Sequence, residues 1–443
     1  MGQAESAYDF DFAIAGGGPA GASAAISLAQ RGHSVILLER EKFPRFHIGE
    51  SLLSTANDAF AALGVAEKIE AACFPEKWGA RLLTHDDHRE RRVNFSVVRE
   101  VTKPQTFQVC REEFDRILME RARVLGVDVR EQHQVSACEF VPDAAIIDFK
   151  RDGDERGRIR VRALVDATGR YGLIAKKYGL RKEEPCLANV AIFAHYKGVP
   201  RLPDDRPDDI RLVARKDAGW FWVIPISKEL TSVGVVLPKK LLMQLPQGTP
   251  EERLAASIAD TPVVAELMQH ARREWPVRVE KDFSYRASTY AGDRWLLAGD
   301  AGSFLDPVFS TGVSIAMESG IEAAAELHRA LARNNFSARH FAAFSRRQLK
   351  RYKSFRRFVV GFYTPQFRDL FFERAEENCI FRAVTTILAG KWNPSLGTQL
   401  LNHLFFFIVA IQKRFAITPS RFCRDLVAGY PSNDAGSNGT KRR

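Results

Sequence analysis

Two short segments carry side chains whose types and spacing suit chemistry. Lys77-Trp78-Gly79-Ala80 offers one primary amine in a tight, small-residue setting. Trp220-Phe221-Trp222-Val223-Ile224-Pro225 puts two indoles two residues apart and closes with a proline. A lysine is a compact cation with three donors, and burial lowers its pKa. In a dry pocket it can hold or direct a reactive electrophile. Indoles at alternate positions of a strand point to one face, where they can wall off a narrow space. The plainer readings are an exposed loop lysine and ordinary aromatic core. Spacing alone does not separate these from the chemical reading.

The elements that would position these groups begin at the N-terminus. Asp11-Phe12-Ala13-Ile14-Ala15 reads as a short buried strand, followed by the turn Gly16-Gly17-Gly18-Pro19-Ala20-Gly21 and a helical run from Ala22 to Arg31. Gly16 allows the tight turn, Gly18 lets a pyrophosphate approach the backbone, and Gly21 lets helix pack on strand. The phosphate would meet the positive end of the helix beside Pro19 and Ala20. A second strand, Ser34 to Leu38, ends at Glu39, placed to accept a hydrogen bond from a ribose hydroxyl. With the strand, the helix and the acid all in place, the fingerprint predicts a bound dinucleotide.

Three later segments narrow the choice of dinucleotide. Arg111-Glu112-Glu113-Phe114-Asp115 starts an amphipathic helix, Val165-Asp166-Ala167-Thr168-Gly169-Arg170 ends a strand, and Trp295 to Gly302 is a strand running into a Gly-Asp turn. Together they resemble the recurrent elements of FAD enzymes of the aromatic hydroxylase superfamily. That resemblance implies that Asp300 binds the ribityl or ribose part of FAD; a helix N-cap is the alternative role, and the two can coexist. No second glycine fingerprint for NADPH is evident, so a separate flavin reductase is expected to supply FADH2.

A narrower resemblance is to the flavin-dependent halogenases. Phe43-Pro44-Arg45-Phe46-His47-Ile48-Gly49-Glu50-Ser51-Leu52-Leu53 resembles their segment after the second strand. Lys77 falls where their essential lysine lies. Trp220, Trp222, Ile224 and Pro225 match their Trp-x-Trp-x-Ile-Pro signature. Asp306-Pro307-Val308-Phe309-Ser310-Thr311-Gly312 matches their flavin- and halide-contacting loop. The resemblance implies cofactor contacts from Arg45, Ser51, Arg111 and Gly312. It implies catalytic roles for Lys77 and Ser310, the latter equally open to being a plain loop hydroxyl, and a substrate tunnel lined by Trp220, Trp222, Pro225 and Phe309. His47 reads as a polar residue packed near the flavin. Two departures stand out: Ser54 replaces a frequent proline, and Phe309 stands where the free-tryptophan halogenases carry a glutamate. The second points to phenol- or pyrrole-type rings instead of free tryptophan.

The implied chemistry accounts for the residue types. Reduced flavin and dioxygen oxidise chloride or bromide to hypohalous acid. Backbone N–H groups at Thr311 and Gly312 would hold the halide, because successive amides in a turn form an anion-binding concavity. Hypohalous acid is indiscriminate in water, so the site needs a dry tunnel and one directing group. Lys77 would hydrogen-bond the acid or form a haloamine. The Trp pair would keep substrate off the flavin. The alternative function is an FAD-dependent monooxygenase or prenyl-chain reductase of the same superfamily, which needs neither halide nor Lys77.

Composition and length agree with a globular enzyme: 443 residues, 45% hydrophobic and 27% charged. The expected fold is α/β, a Rossmann-like FAD-binding domain with an interleaved antiparallel-sheet substrate region and a helical C-terminal region. The FAD-binding parts are expected at 1–80, 104–185 and 285–330, the substrate sheet at 81–103 and 186–284, helices at 331–427 and a flexible tail at 428–443. Pro200 to Asp209 reads as a surface loop. Cys73, Cys110, Cys138, Cys186, Cys379 and Cys423 are scattered, which predicts neither a metal site nor a disulfide framework. Residues 1 to 11 show no basic, apolar signal region, so the cytoplasm is the expected compartment.

Charge is uneven. Residues 329 to 443 hold 21 Lys/Arg against 6 Asp/Glu, a net of +15, while residues 1 to 328 carry −4. The densest run is Arg346, Arg347, Lys350, Arg351, Lys353, Arg356 and Arg357, interleaved with apolar residues at helical spacing. A basic amphipathic helix suits an acidic acyl or peptidyl carrier protein bearing the substrate, or simply a solvated face. Contact with a membrane surface is less favoured, and no nucleic-acid recognition motif accompanies the charge. Leu404 to Ile411 is apolar but far shorter than a bilayer span; it is expected to be a buried helix covering the mouth of the active site.

Overall fold

A computed structural model describes residues 8–86, 89–151, 155–244, 248–281, 284–372 and 378–419. Cys423 and the tail expected at 428–443 lie outside the described residues. The fold is α/β, with mixed sheets and a helical C-terminal region.

The first sheet is built on parallel strands. Asp128–Arg130, Val35–Leu38, Phe10–Ala15, Arg156–Asp166 and Trp295–Leu297 lie side by side in that order. Parallel strands are covered on both faces and so read as continuous apolar runs. Phe12 and Ile14 enter one core, with helices Pro19–Ala29 and Arg111–Val124, while Ala13 and Ala15 enter another. The register pairs Ala15 with Leu38 and with Asp166, and Asp166 with Leu297. The carboxyl ends of four strands therefore coincide, and Gly16, Glu39, Ala167 and Ala298 leave the sheet at one edge.

The first helix starts at Pro19, three residues before the expected Ala22, since proline's fixed φ already suits a first helical turn. Its start is tight. Gly16 has φ 101°, and a side chain on Gly21 would place its Cβ 1.8 Å from the Gly16 carbonyl oxygen. The helix also packs against Gly312–Ala332, where a Cβ on Gly320 would lie 2.2 Å from the Ala20 carbonyl oxygen.

The second sheet is mainly antiparallel. Asn189–Lys197, Leu230–Pro238, Trp220–Pro225, Ile210–Ala214, Gly79–Thr84 and Glu90–Asn94 follow one another across it. Period-2 alternation sorts its side chains. Trp220, Trp222 and Ile224 share one core with the C-terminal helices, while Phe221 and Val223 face Leu254, Val263 and Val264 on the other side. The Pro200–Asp209 loop, expected at the surface, turns inward at its end, where Asp209 is buried.

The C-terminal region contains helices Ala342–Phe362, Pro365–Phe371, Cys379–Leu388 and Leu396–Phe415. Two expectations need correction here. The basic run is not one solvated or docking face. Arg351 is 1% exposed and pairs with Glu318 and Glu322; Arg347 pairs with Glu322 and Glu326; Arg356 pairs with Glu184. These cations are neutralised by acids 21 or more residues away, which the local pattern did not reveal. The apolar Leu404–Ile411 segment is not a buried cover either. Within Leu396–Phe415 only Asn402, Phe405 and Gln412 are buried, and Leu404 and Phe407 are exposed. Among the described residues no helix is long and apolar enough to cross a membrane.

Candidate active site

The carboxyl edge of the parallel sheet opens into a long cavity, as expected where strand ends and a glycine turn converge. Gly16, Gly18, Pro19 and Ala20 line it from the first turn, with Glu39 at the end of the second strand. Arg45, Ser51, Arg111 and Asp300 line its middle, and Ser310, Thr311, Gly312, Trp220 and Trp222 its far end. Gly21 lies outside; its role is the close helix–strand contact. Pro225 also does not line the cavity but terminates its strand. His47 lines the wall and bonds the Ile48 carbonyl at 2.7 Å; burial and Arg111 push its imidazole down to about 4.

The polar groups along this cavity are only partly satisfied by the protein. Glu39 accepts from the Gly17 amide at 2.6 Å and the Glu41 amide at 2.9 Å. Arg111 holds Asp115 in a two-point pair at 2.8 and 2.9 Å and donates to the Ile48 carbonyl at 2.7 Å. Arg45 Nη1 lies 3.3 Å from Asp115 Oδ2 without a hydrogen bond. Among the described residues the Asp300 carboxylate has no hydrogen-bond partner. Desolvation pushes its carboxyl up to about 6 against the pull of Arg111 and Arg170. The N-cap of that turn is Ala298, so the capping alternative for Asp300 is not realised. One oxygen of Glu50 is also buried without a partner, while the other meets His195 Nε2 at 2.7 Å. A Cβ at Gly18 would meet nothing nearer than Arg45 Nη2 at 3.6 Å, so the absent side chain leaves space, not packing. A ligand with phosphates and several hydroxyls fits this donor and acceptor set, which FAD satisfies.

Lys77 sits beyond the far end, in a second, small chamber. It lies on the two-residue strand Glu76–Lys77, paired with Thr106–Phe107. The next residues explain its Lys-x-Gly-Ala setting. The Trp78 and Gly79 amides both donate to Asp209 Oδ1, at 2.7 and 2.9 Å. A Cβ on Gly79 would lie 1.9 Å from the Val93 carbonyl oxygen, so only glycine lets the chain enter the second sheet there. Lys77 is 1% exposed, and its Nζ donates to Ser51 Oγ and to the Leu52 carbonyl, both at 2.8 Å. Burial lowers its pKa from 10.5 to about 7, with Asp209 opposing. Leu53, Phe95, Leu212, Phe309 and Leu388 surround it. The free space is about 20 Å³, enough for one water. Ser310, with φ 57°, lines both this chamber and the long cavity.

The loop carrying Ser310 is tied down from the C-terminal helices. Asp306 Oδ1 accepts the Val308 amide at 3.1 Å, and Oδ2 accepts Tyr363 Oη at 2.6 Å and Asn189 Nδ2 at 2.8 Å. Trp220 Nε1 donates to the same Tyr363 hydroxyl at 2.8 Å. Burial raises the Asp306 carboxyl to about 6 against these three donors. Sequence reading missed Asp209, Tyr363, Glu50 and His195 as site residues. Glu50 stood inside a quoted motif and was open to notice; the others carry no local signal.

Comparisons with known proteins give the family. Residues 9–350 match the family model described as FAD binding domain. A 1H-pyrrole-2-carbonyl peptidyl-carrier-protein brominase of Pseudoalteromonas luteoviolacea is 34% identical, covering 75% of this chain and 80% of that protein. The chain belongs to the flavin-dependent halogenase family. The corresponding chlorinase of Pseudomonas fluorescens is 31% identical over 81% of this chain and 84% of its own. A tryptophan 2-halogenase of Chondromyces crocatus is 34% identical over 72% of this chain and 61% of its own, so the family's substrates are diverse. Among solved structures, a flavin-dependent brominase superposes with TM-score 0.82 at 30% identity, covering 91% of this chain and 99% of that one. This halogenase-family chain is thus an FAD-dependent oxidoreductase.

Proposed function

We propose that this enzyme halogenates an electron-rich ring, a pyrrole or a phenol, presented on a carrier protein. The observation that carries the reading is the Lys77 chamber. Its walls are apolar apart from Lys77 and Ser310, and besides Lys77 they carry no charged group, in particular no acid to take up the ammonium of a free amino acid. A ring whose polar end stays outside, on a tether, suits such walls. The two relatives named for a pyrrole on a peptidyl carrier protein point the same way.

FAD, once reduced by a separate reductase, supplies the oxidation of halide by dioxygen. The chain's own residues supply the rest. Thr311 and Gly312, at the start of the Gly312–Ala332 helix, line the long cavity, and the amides of a helix start are the donors we assign to the halide. Lys77, close to half protonated near neutral pH, donates to hypohalous acid as ammonium or takes the halogen as amine. Trp220 and Trp222 line the long cavity, and in this reading they keep the ring from the flavin. The free space in the chamber is about 20 Å³, so a ring enters only when lining side chains shift.

The test supplies enzyme, FAD, a flavin reductase, NADH and bromide with pyrrole-2-carbonyl carrier thioester or a small free phenol. Mass spectrometry then looks for the halogen isotope pattern. Brominated thioester is expected. Hydroxylated product formed without halide would replace this reading with a monooxygenase.

A further inference from the structure

The structure sorts the basic run of the Ala342–Phe362 helix into two sets. Arg347, Arg351 and Arg356 turn inward to acids. Arg346, Lys350, Lys353 and Arg357 are exposed and, among the described residues, make no ion pair. Their spacing puts them within an arc of about 60° on the helix. The last helix lies alongside: the Arg357 guanidinium sits 3.9 Å from the centroid of the Phe406 ring, and Lys350 Nζ is 3.5 Å from Asn393 Oδ1.

That neighbouring helix, Leu396–Phe415, exposes Leu396, Leu400, Leu404, Phe407 and Phe415. Leu396 is 79% exposed and Phe415 73%. At about 100° per residue all five fall within one arc of about 100°, while the buried Asn402, Phe405 and Gln412 lie opposite. The stripe runs about 30 Å. From Asn378 to Thr418 the sequence contains no Asp or Glu, against Arg382, Lys391, Lys413 and Arg414. An apolar stripe and a cationic stripe thus lie on two helices that touch at Arg357 and Phe406.

We propose that this surface seats the enzyme on an anionic phospholipid bilayer, lying in the interface without crossing it. Bulky aliphatic and phenyl side chains enter the acyl boundary, and the flanking Lys and Arg meet the phosphates. Other occupants fit less well. A symmetric second copy that buried the apolar stripe would bring no counter-charge to the cationic one. A carrier protein must leave after each turnover, and transient interfaces are no more apolar than the rest of a protein surface.

Co-sedimentation of the full FAD-loaded chain with vesicles tests this. Wild type should pellet with phosphatidylcholine vesicles containing phosphatidylglycerol, and far less with phosphatidylcholine alone, and added salt should release it. Arg346→Glu with Lys350→Glu should lower partitioning by roughly fivefold or more for each change. Leu400→Glu with Phe407→Glu should abolish it, with FAD binding and melting temperature reporting that the fold is kept. Wild type remaining in the supernatant would overturn the proposal. So would pelleting that survives both double variants, or is lost only on removal of residues 420–443. A dimer that the stripe variants dissociate, or a carrier-protein complex that they abolish, each without vesicle binding, would assign the surface to that partner instead.

Discussion

Lys77→Met removes the buried charge, keeps most of the side-chain volume, and should separate stability from activity. A fall in pKa from 10.5 to about 7 corresponds to about 5 kcal/mol, at about 1.4 kcal/mol per unit. This is the cost of holding the ammonium in the chamber relative to the unfolded chain. The folded pKa lies below the unfolded one, so between the two the unfolded chain binds more protons and wild-type stability rises with pH. The cost is full below about 7 and gone above 10.5. At pH 7 it is still about 4 kcal/mol. Against it stand the two hydrogen bonds to Ser51 and Leu52, worth roughly 1 kcal/mol each. The variant should therefore be about 2 kcal/mol more stable than wild type near pH 7. The order should reverse near pH 9, where the remaining cost has fallen to about 2 kcal/mol and no longer exceeds the hydrogen bonds. Denaturant melts across that range measure this. Halogenation by the same protein should vanish, with FAD affinity and NADH-driven flavin oxidation unchanged. A variant less stable than wild type at neutral pH, or a difference independent of pH, would show that the amine is not desolvated. Halogenation at near wild-type rate would remove Lys77 from the chemistry.

Two further predictions concern the cavity and its loop. Gly18→Val should fold, because its side chain grows into open space, yet block FAD; Asp300→Ala should weaken FAD binding by about 1–3 kcal/mol, and undiminished affinity in both, by fluorescence titration, would contradict the site. Tyr363→Phe leaves Trp220 Nε1 without its acceptor and strips one donor from Asp306. It should destabilise the fold by about 1–3 kcal/mol and raise the halide KM more than it lowers kcat; an unchanged KM would reduce Tyr363 to packing.

The sequence by itself determined the features that are local in chain. Gly16 and Gly21 reflect a turn that tolerates no side chain, and strand, turn and helix follow as periodicity and glycine spacing predict. The indoles of Trp220 and Trp222 share a face because strand side chains alternate. Tertiary structure decided what those residues experience. Lys77 is a buried amine with a lowered pKa because Ser51 and Leu52 take its hydrogen bonds from distant positions, while Asp209 holds the Trp78 and Gly79 amides and Val93 leaves room only for glycine at 79. Tyr363, just past the end of the Ala342–Phe362 helix, anchors the loop that presents Ser310. The same basic run that reads as one charged face is split between inward pairs and an open stripe, since its neutralising acids lie on other elements. The Phe-rich last helix reads as core, yet most of it faces outward. Local patterns record backbone geometry and periodicity. Burial, charge pairing and pKa depend on partners supplied by the rest of the chain.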